Sequence, residues 1–403
     1  MAKMSKETTA SDEIIWVSDI DLSTTLHAAT WLDTTAALRN LGWKVTLIAP
    51  SDAGGNQQIR GVDVKCFRWW KVFLLKQVLY RLQVFFWLLF HLPRKGVIFF
   101  HEYTAVWAFG FRLLTRLFTR RPIYYVMDTR SLPMEPEDGM TLRTKLRHNY
   151  FWFVYRHASR WLDGFTMITP AMVEAVGVDP QKVWLIWPSG VTLEKFSPAA
   201  ALRKFPGENE PIELLYIGCM HLERNLMPFC QAVVDANMEQ MKFHFVMVGE
   251  GNQFDELQEY AQAHSQSIEV LPAVPQHELI AFMAKAQVGV LPFPDELKFR
   301  VSSSIKLFEY MGAGLVLAAT RMSAHEYVVG DGQFVIWSEG AAVDQFSDCL
   351  MKVWRQKQQL PAMSANALEA SHLWTWEAAA RKISDGFQTK MNEYSHKKEE
   401  KRN

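Results

Sequence analysis

Cysteine is scarce. The four present in 403 residues (Cys66, Cys219, Cys230 and Cys349) form no C-x-x-C pair and fit no metal-ligand spacing. A disulfide framework and a zinc ribbon are thereby excluded, and the thiols read as free in a reducing cytosol. Net charge is also absent, since 43 Lys and Arg balance 43 Asp and Glu. No apolar run is long enough to span a bilayer. The most hydrophobic stretch, Trp69–Leu92, is interrupted by Lys71, Lys76 and Arg81. Its longest charge-free part, Leu82–Leu92, contains Gln83 and His91 and falls well short of about 20 residues. Met1–Glu13 is polar and has no apolar leader core, so residues 1–13 read as a disordered tail. No Asp-x-Asp triplet is placed to hold a metal.

What is present is a globular composition, 49% apolar and 21% charged, with length for two ordinary domains. Disordered, collagenous and coiled-coil classes are excluded. The charge is unevenly spread. Residues 1–200 hold 24 basic and 17 acidic side chains, and residues 61–160 alone hold 17 basic and 6 acidic. A basic half beside an acidic half suggests that one half meets an anionic partner.

The periodicity alternates strands with helices. Strands are expected at Ile14–Ile20, Lys44–Pro50, Val62–Trp69, Gly96–His101, Pro122–Asp128 and Gly164–Thr169. The rhythm resumes at Ile212–Ile217, Lys242–Val248, Ile268–Leu271, Val288–Leu291 and Val316–Ala319. Near-continuous apolar strands separated by helical patterns make parallel sheets covered on both faces. The class is α/β, with two doubly wound Rossmann-like domains at 14–195 and 212–375. Phe196–Pro211, rich in Pro, Gly, Ala and charge, reads as the linker. A helix is expected over 376–394, and the tail at 395–403 is charged. Ligands bind such sheets at the carboxyl ends of their strands, so a cleft between the two domains is the expected site.

Three segments carry chemistry. In FRVSSSIKLFEYMGAGLVLAAT (Phe299–Thr320) a serine run enters a helix and leaves through a Gly-rich turn. Free N–H groups and hydroxyls at a helix start make an anion site. Lys306 in the first turn is unfavourable for the helix alone and sensible beside a phosphate. Glu309 shares its face, so a plain surface ion pair between the two is the competing reading. VGEGNQFDELQ places Gly249 and Gly251 where a ligand could approach backbone closely. YIGCMHLERN sets Gly218 after a strand and Arg224 where it could pair a phosphate, or simply be solvated.

Taken in order, VWLIWPSGVTLEKFS, IGCMHLERN, VGEGNQFDELQ, LPAVPQHELIAFMAKAQVGVLPF and SSSIKLFEYMGAG resemble group 1 (family four) nucleotide-sugar glycosyltransferases of the GT-B fold. WTWEAAARKI is similar to that family's closing helix, which crosses back onto the first domain. The resemblance is strong over about 183–385 and weaker over 14–180. It implies that Arg224 and Lys306 hold the donor diphosphate, with Gly218, Ser303, Ser304 and nearby N–H groups completing the cradle. It implies that Glu309 binds the ribose, and that Gly249, Glu250, Gly251 and the Ala273–Val274 backbone line the base. His101 matches the histidine that faces the donor sugar, and the competing reading is local hydrogen bonding only. Acceptor-side polar groups are expected at Asp21, Glu102, Asp128 and Arg130. One departure is that Val301 stands where many members carry a first glutamate, with Asp295 and Glu296 the nearest acids.

The implied reaction moves a sugar from a nucleoside-diphosphate donor to a polysaccharide or lipid-linked acceptor, with retention at the anomeric carbon. Its setting is bacterial envelope or exopolysaccharide synthesis. Fixed cations and a helix N-terminus can stabilise the leaving diphosphate without a metal or other cofactor, and His101 would orient rather than act as the base. The alternatives are a non-catalytic nucleotide-sugar-binding subunit and a nucleotide-sugar epimerase on the same fold. Arg112, Arg116 and Arg120 recur at i, i+4, i+8 beside Phe111, Leu113, Leu114, Leu117 and Phe118. With the aromatics from Trp69 onward, residues 69–121 fit peripheral contact with an anionic membrane from the cytoplasmic side. An ordinary packed helix with a solvated rim is the competing reading. No nucleic-acid recognition module is present.

Overall fold

The computed structural model describes residues 12–24, 28–70, 75–101, 105–119, 121–133 and 141–400. The chain divides into two α/β units, the first formed by Met1–Pro188 with Trp376–Asn403 and the second by Ser189–Thr375.

The first unit runs β1 (Glu13–Val17), α1 (Ala29–Asn40), β2 (Lys44–Ser51), β3 (Gly55–Ile59), β4 (Val62–Arg68), α2 (Lys76–Phe90) and β5 (Gly96–His101). It continues with α3 (Ala105–Phe118), β6 (Ile123–Asp128), α4 (Leu142–Trp161), β7 (Gly164–Met167), α5 (Pro170–Val176) and β8 (Val183–Ile186). Its sheet has the order β3-β4-β2-β1-β5-β6-β7-β8 and is parallel except for β3, which pairs antiparallel with β4. β5 and β6 are buried at every residue, as a strand covered on both faces must be. β3 (GNQQI) is a polar edge strand that alternation of apolar residues could not reveal.

The second unit comprises α6 (Leu193–Leu202), β9 (Ile212–Cys219), α7 (Leu226–Met238), β10 (Phe243–Glu250), α8 (Phe254–Ala263), β11 (Ile268–Pro272) and α9 (Gln276–Lys285). It then has β12 (Val288–Leu291), α10 (Leu297–Val301), α11 (Ile305–Gly312), β13 (Val316–Thr320), α12 (Ser323–Val329), β14 (Val335–Ser338), α13 (Val343–Arg355) and α14 (Leu360–Ser371). All pairings in its sheet, β11-β10-β9-β12-β13-β14, are parallel.

Phe196–Pro211 corrects the expectation of a linker. Its first part continues α6, and Arg203 is buried rather than solvated. The Arg203 guanidinium donates to the carbonyls of Met283, Ala286, Ala313 and Gly314 at 2.6–2.8 Å. These are the free carbonyls at the ends of α9 and α11, where a cation complements both helix dipoles. Pro, Gly and charge in this stretch mark a built-in corner. The first domain correspondingly ends at Pro188, not at residue 195.

The last helix, α15 (Trp376–Glu400), belongs to the first unit and completes its core. Phe387 packs edge-on against Phe99 (5.4 Å) and Trp184 (5.8 Å), and Trp16 lies 5.0 Å from Phe99. The Trp43 indole donates to Ser384 Oγ at 2.9 Å, satisfying a buried N–H across helices. Much of the chain's tryptophan is spent on this one cluster.

Candidate active site

In the second sheet the chain steps from β9 to β10 to β11, then returns to the other side of β9 as β12. That reversal opens a crevice at the carboxyl ends of β9 and β12. Gly218 and Gly249 stand in register there. Gly218 has φ +131°, and a β-carbon on it would collide with the Lys306 side chain. A β-carbon on Gly249 would strike the Gly218 carbonyl, and one on Gly251 the Met220 carbonyl. The sequence therefore keeps side chains off this floor so that Lys306 can lie against it.

Lys306 is the second residue of α11, whose N-cap Ser304 makes no side-chain bond to the helix. Its ammonium stands 5.6 Å from the Tyr216 ring. Burial, reinforced by the Arg224 charge, pulls its pKa down to about 8. Burial pushes Glu309 up to about 7 against the opposing pull of Lys306 and Lys195. Among the described residues Lys306 and Glu309 form no ion pair, so the plain surface salt bridge does not account for them. Arg224 ends a short turn and lies over the rings of Phe293 (5.5 Å) and Phe299 (5.1 Å). Its Nε is buried without a hydrogen-bond partner, as are the hydroxyls of Ser302 and Ser303. Buried donors without acceptors cost free energy and mark where an anionic ligand would be held.

The other expected donor residues are more dispersed. Glu250 is exposed at the end of β10, and Val274 follows the edge strand β11, two strands from Gly218. Val301 is buried in the short helix α10, and Asp295 is tied to Arg300 at 2.8 Å in an exposed pair.

The first sheet reverses between β1 and β5 in the same way. His101 ends β5 opposite Asp128, which ends β6. Burial, with the charges of Arg81 and Arg130 added, lowers His101 to about 3 and leaves it a neutral imidazole at physiological pH. Burial raises Asp128 to about 6, opposed by Arg130 and by hydrogen bonding. Thr166 Oγ1 donates to Asp128 at 2.7 Å. Arg130 stacks 4.0 Å from the Trp187 ring and donates to its carbonyl at 2.8 Å. Asp21 instead receives the Ser23 N–H and hydroxyl within its own loop. Glu102 lies outside the described residues.

Sequence reasoning missed Asp19 and Arg81. β1 stops at Val17, earlier than expected, so Asp19 sits in the loop beyond it and pairs with Arg81 of α2 at 3.2 Å. Tyr150 is within hydrogen-bonding reach of Arg81. Asp19 follows a strand end, a signal that could have found it; Arg81 had read only as an interruption of a hydrophobic helix. The basic stripe is also altered. Arg112 and Arg116 both pair with buried Asp163, at 2.6 and 2.9 Å, and Arg120 lies outside the described residues. All four cysteines are free, three of them buried. Among the described residues there is no cluster of three or more His, Cys, Asp or Glu that could hold a metal, and no helix is long and apolar enough to cross a membrane.

The second unit thus has a parallel sheet with a cationic, glycine-floored cradle at its switch point. Comparison with known proteins makes the class specific. Residues 27–187 match the family described as "Glycosyl transferase 4-like domain" and residues 211–356 match "Glycosyl transferases group 1". The chain belongs to the group 1 glycosyltransferases. D-inositol 3-phosphate glycosyltransferase of Streptosporangium roseum is 23% identical over 239 residues, 56% of this chain and 54% of that protein. The match thus spans about half the length of that curated relative. Sucrose-phosphate synthase of Thermosynechococcus elongatus superposes with TM-score 0.72 at 13% identity, over 94% of this chain and 98% of that one. The catalytic domain of starch synthase IV of Arabidopsis thaliana, bound to ADP and acarbose, gives 0.68 at 11%, over 94% and 99%. Anabaena HepE in complex with UDP gives 0.66 at 12%, over 94% and 100%. These likenesses establish the GT-B fold.

Proposed function

We propose that the protein transfers a sugar from a nucleoside-diphosphate donor to a glycan or lipid-linked acceptor, with retention at the anomeric carbon, in envelope or exopolysaccharide synthesis. The observation that carries this is the cradle of Gly218, Lys306, Arg224 and Ser303, in which the Arg224 Nε and the Ser303 hydroxyl are buried without acceptors. The similar structures holding UDP and ADP support a nucleoside diphosphate as the leaving group. Charge accumulates on that diphosphate as the glycosidic bond breaks, and Lys306, Arg224 and the start of α11 are fixed where they can stabilise it. No metal or other cofactor is required by this reading. The leaving phosphate can take the acceptor's proton on the same face, so a protein base is not needed. His101, held neutral, serves as a hydrogen-bonding group for a sugar hydroxyl. Asp128 at the end of β6 and Arg130 beyond it, together with the Asp19–Arg81 pair, are assigned to the acceptor. A lipid-linked acceptor would bring the protein to the cytoplasmic face of a membrane, and exposed Leu113, Leu117, Phe118, Leu142 and Leu146 support such contact.

Titration with UDP, GDP, ADP and dTDP and their sugars tests the donor assignment. One of them should bind, and Lys306→Ala should weaken it roughly 10- to 100-fold, the worth of a charge-assisted hydrogen bond in a buried site. Unchanged affinity in that variant would refute the phosphate assignment. Buried Val301, which brings no carboxylate to the sugar, favours a second reading as a binding subunit. Tight donor binding with no transfer to any glycan acceptor would decide for it.

A further inference from the structure

Lys298 has no assigned part in the donor site, yet it faces the same centre as Arg224. It belongs to α10, which leads directly into the Ser302–Ser304 turn before α11. Its ammonium is 5.6 Å from the Phe299 ring, which Arg224 also covers, at 5.1 Å. Phe299 stacks on Phe293 at 5.0 Å, so an aromatic pair supports both cations. Between them stands one carboxylate oxygen, Glu223 Oε1, 3.6 Å from Lys298 Nζ and 3.8 Å from Arg224 Nη2.

Those two distances are long. A charge-assisted hydrogen bond to a carboxylate closes to about 2.7–2.9 Å. Glu223 therefore attracts both cations without seating either. The Lys298 side chain is largely covered, at 23% exposure, and burial lowers its pKa even with Glu223 beside it. Lys306 is depressed in the same way, in part by the Arg224 charge. Of the other acids, Glu296 also acts on Lys298, and Glu309, near Lys306, is pushed up to about 7 by burial. Lys298 and Arg224 thus share one loosely held carboxylate, and the buried Arg224 Nε still has no acceptor.

We propose that Lys298 is a third cation for the donor diphosphate, and that Glu223 is an internal carboxylate that holds Lys298 and Arg224 until the diphosphate displaces it. This rests on the donor reading given above. Lys298 and Glu223 are then linked with opposite signs. Removing the cation weakens the diphosphate, and neutralising the carboxylate strengthens it by ending the competition. A merely structural salt bridge predicts effects of the same sign, because either change would break the same contact.

The test is calorimetric titration of the full-length protein with whichever of UDP, GDP, ADP and dTDP the wild type binds. The matching nucleoside and inorganic diphosphate serve as competitors. Lys298→Met should weaken the nucleoside diphosphate and inorganic diphosphate about tenfold, equivalent to about 1.4 kcal/mol, and leave the nucleoside unchanged. Lys298→Arg should restore binding, and Glu223→Gln should tighten the diphosphate several-fold. Failure of the wild type to bind any nucleotide would overturn the donor reading itself. Wild-type binding with Lys298→Met unaffected, or with Glu223→Gln weakened alongside it, would overturn this proposal and leave the donor reading standing. Because Glu223→Gln removes no volume, it remains informative if Lys298→Met folds poorly.

Discussion

Lys306 shows most directly how one residue's environment sets its chemistry. Its ammonium holds a proton only to about pH 8, because burial and Arg224 disfavour the charge that a phosphate would favour. An arriving anion raises that pKa, so binding takes up a proton near pH 8, and Glu309, at about 7, contributes in the same direction. Affinity for the nucleoside diphosphate is therefore expected to be greatest below pH 8 and to decline as pH rises through it. Titrations in buffers of different ionisation enthalpy should show uptake in the wild type and much less in Lys306→Arg, whose guanidinium stays charged. A flat affinity from pH 6.5 to 9.5 would contradict this. The same principle acts in the same direction at His101, where burial and two guanidiniums hold an imidazole neutral. Lys306 was legible in the sequence because a cation in the first turn of a helix opposes the macrodipole and demands a reason. Lys298 was not, since α10 is too short to leave a periodic signature.

Among the elements, α3 differs most from what periodicity suggested. Spacing alone placed Arg112 and Arg116 on an outward stripe, but the fold turns both toward Asp163, which is 4% exposed and also accepts from the Tyr125 N–H. Reversing Arg112 would break a buried pair rather than test a surface. Arg116 keeps 58% of its side chain exposed, beside exposed apolar residues: Leu117 at 70%, Phe118 at 85% and Leu142 at 74%. Replacing Leu117 and Phe118 together by Glu is expected to release the protein from vesicles containing anionic lipid and to leave nucleotide affinity intact. Undiminished co-sedimentation would refute membrane contact through α3. Element boundaries failed where local composition misled, as at α6, whose Pro198 and small residues resembled a linker until Arg203 tied it to two helix ends.

At the level of the whole molecule, the two doubly wound sheets were readable because β5, β6, β12 and β13 are unbroken apolar runs. The glycine floor against which Lys306 lies was readable through its order along the chain. The Asp19–Arg81 pair was not, because residues 62 positions apart meet only through the sheet's reversal. Nor was the end of the first unit at Pro188, which depends on what α15 supplies. Phe387 is fully buried, and Phe387→Ala is expected to destabilise the first unit by about 3–5 kcal/mol, with nucleotide binding by the second unit retained. Denaturation followed through the tryptophans, beside a nucleotide titration, would separate the two, and parallel loss of both would count against independent units. The position of α15 also bears on synthesis. A ribosome delivers residues 189–375 in full before Trp376, Ile383, Phe387 and Met391, which the core built on Trp16 and Phe99 needs. The second unit can therefore mature while the earlier-made unit still waits, leaving the first unit's N-terminal strands exposed to chaperones longest although they emerge first.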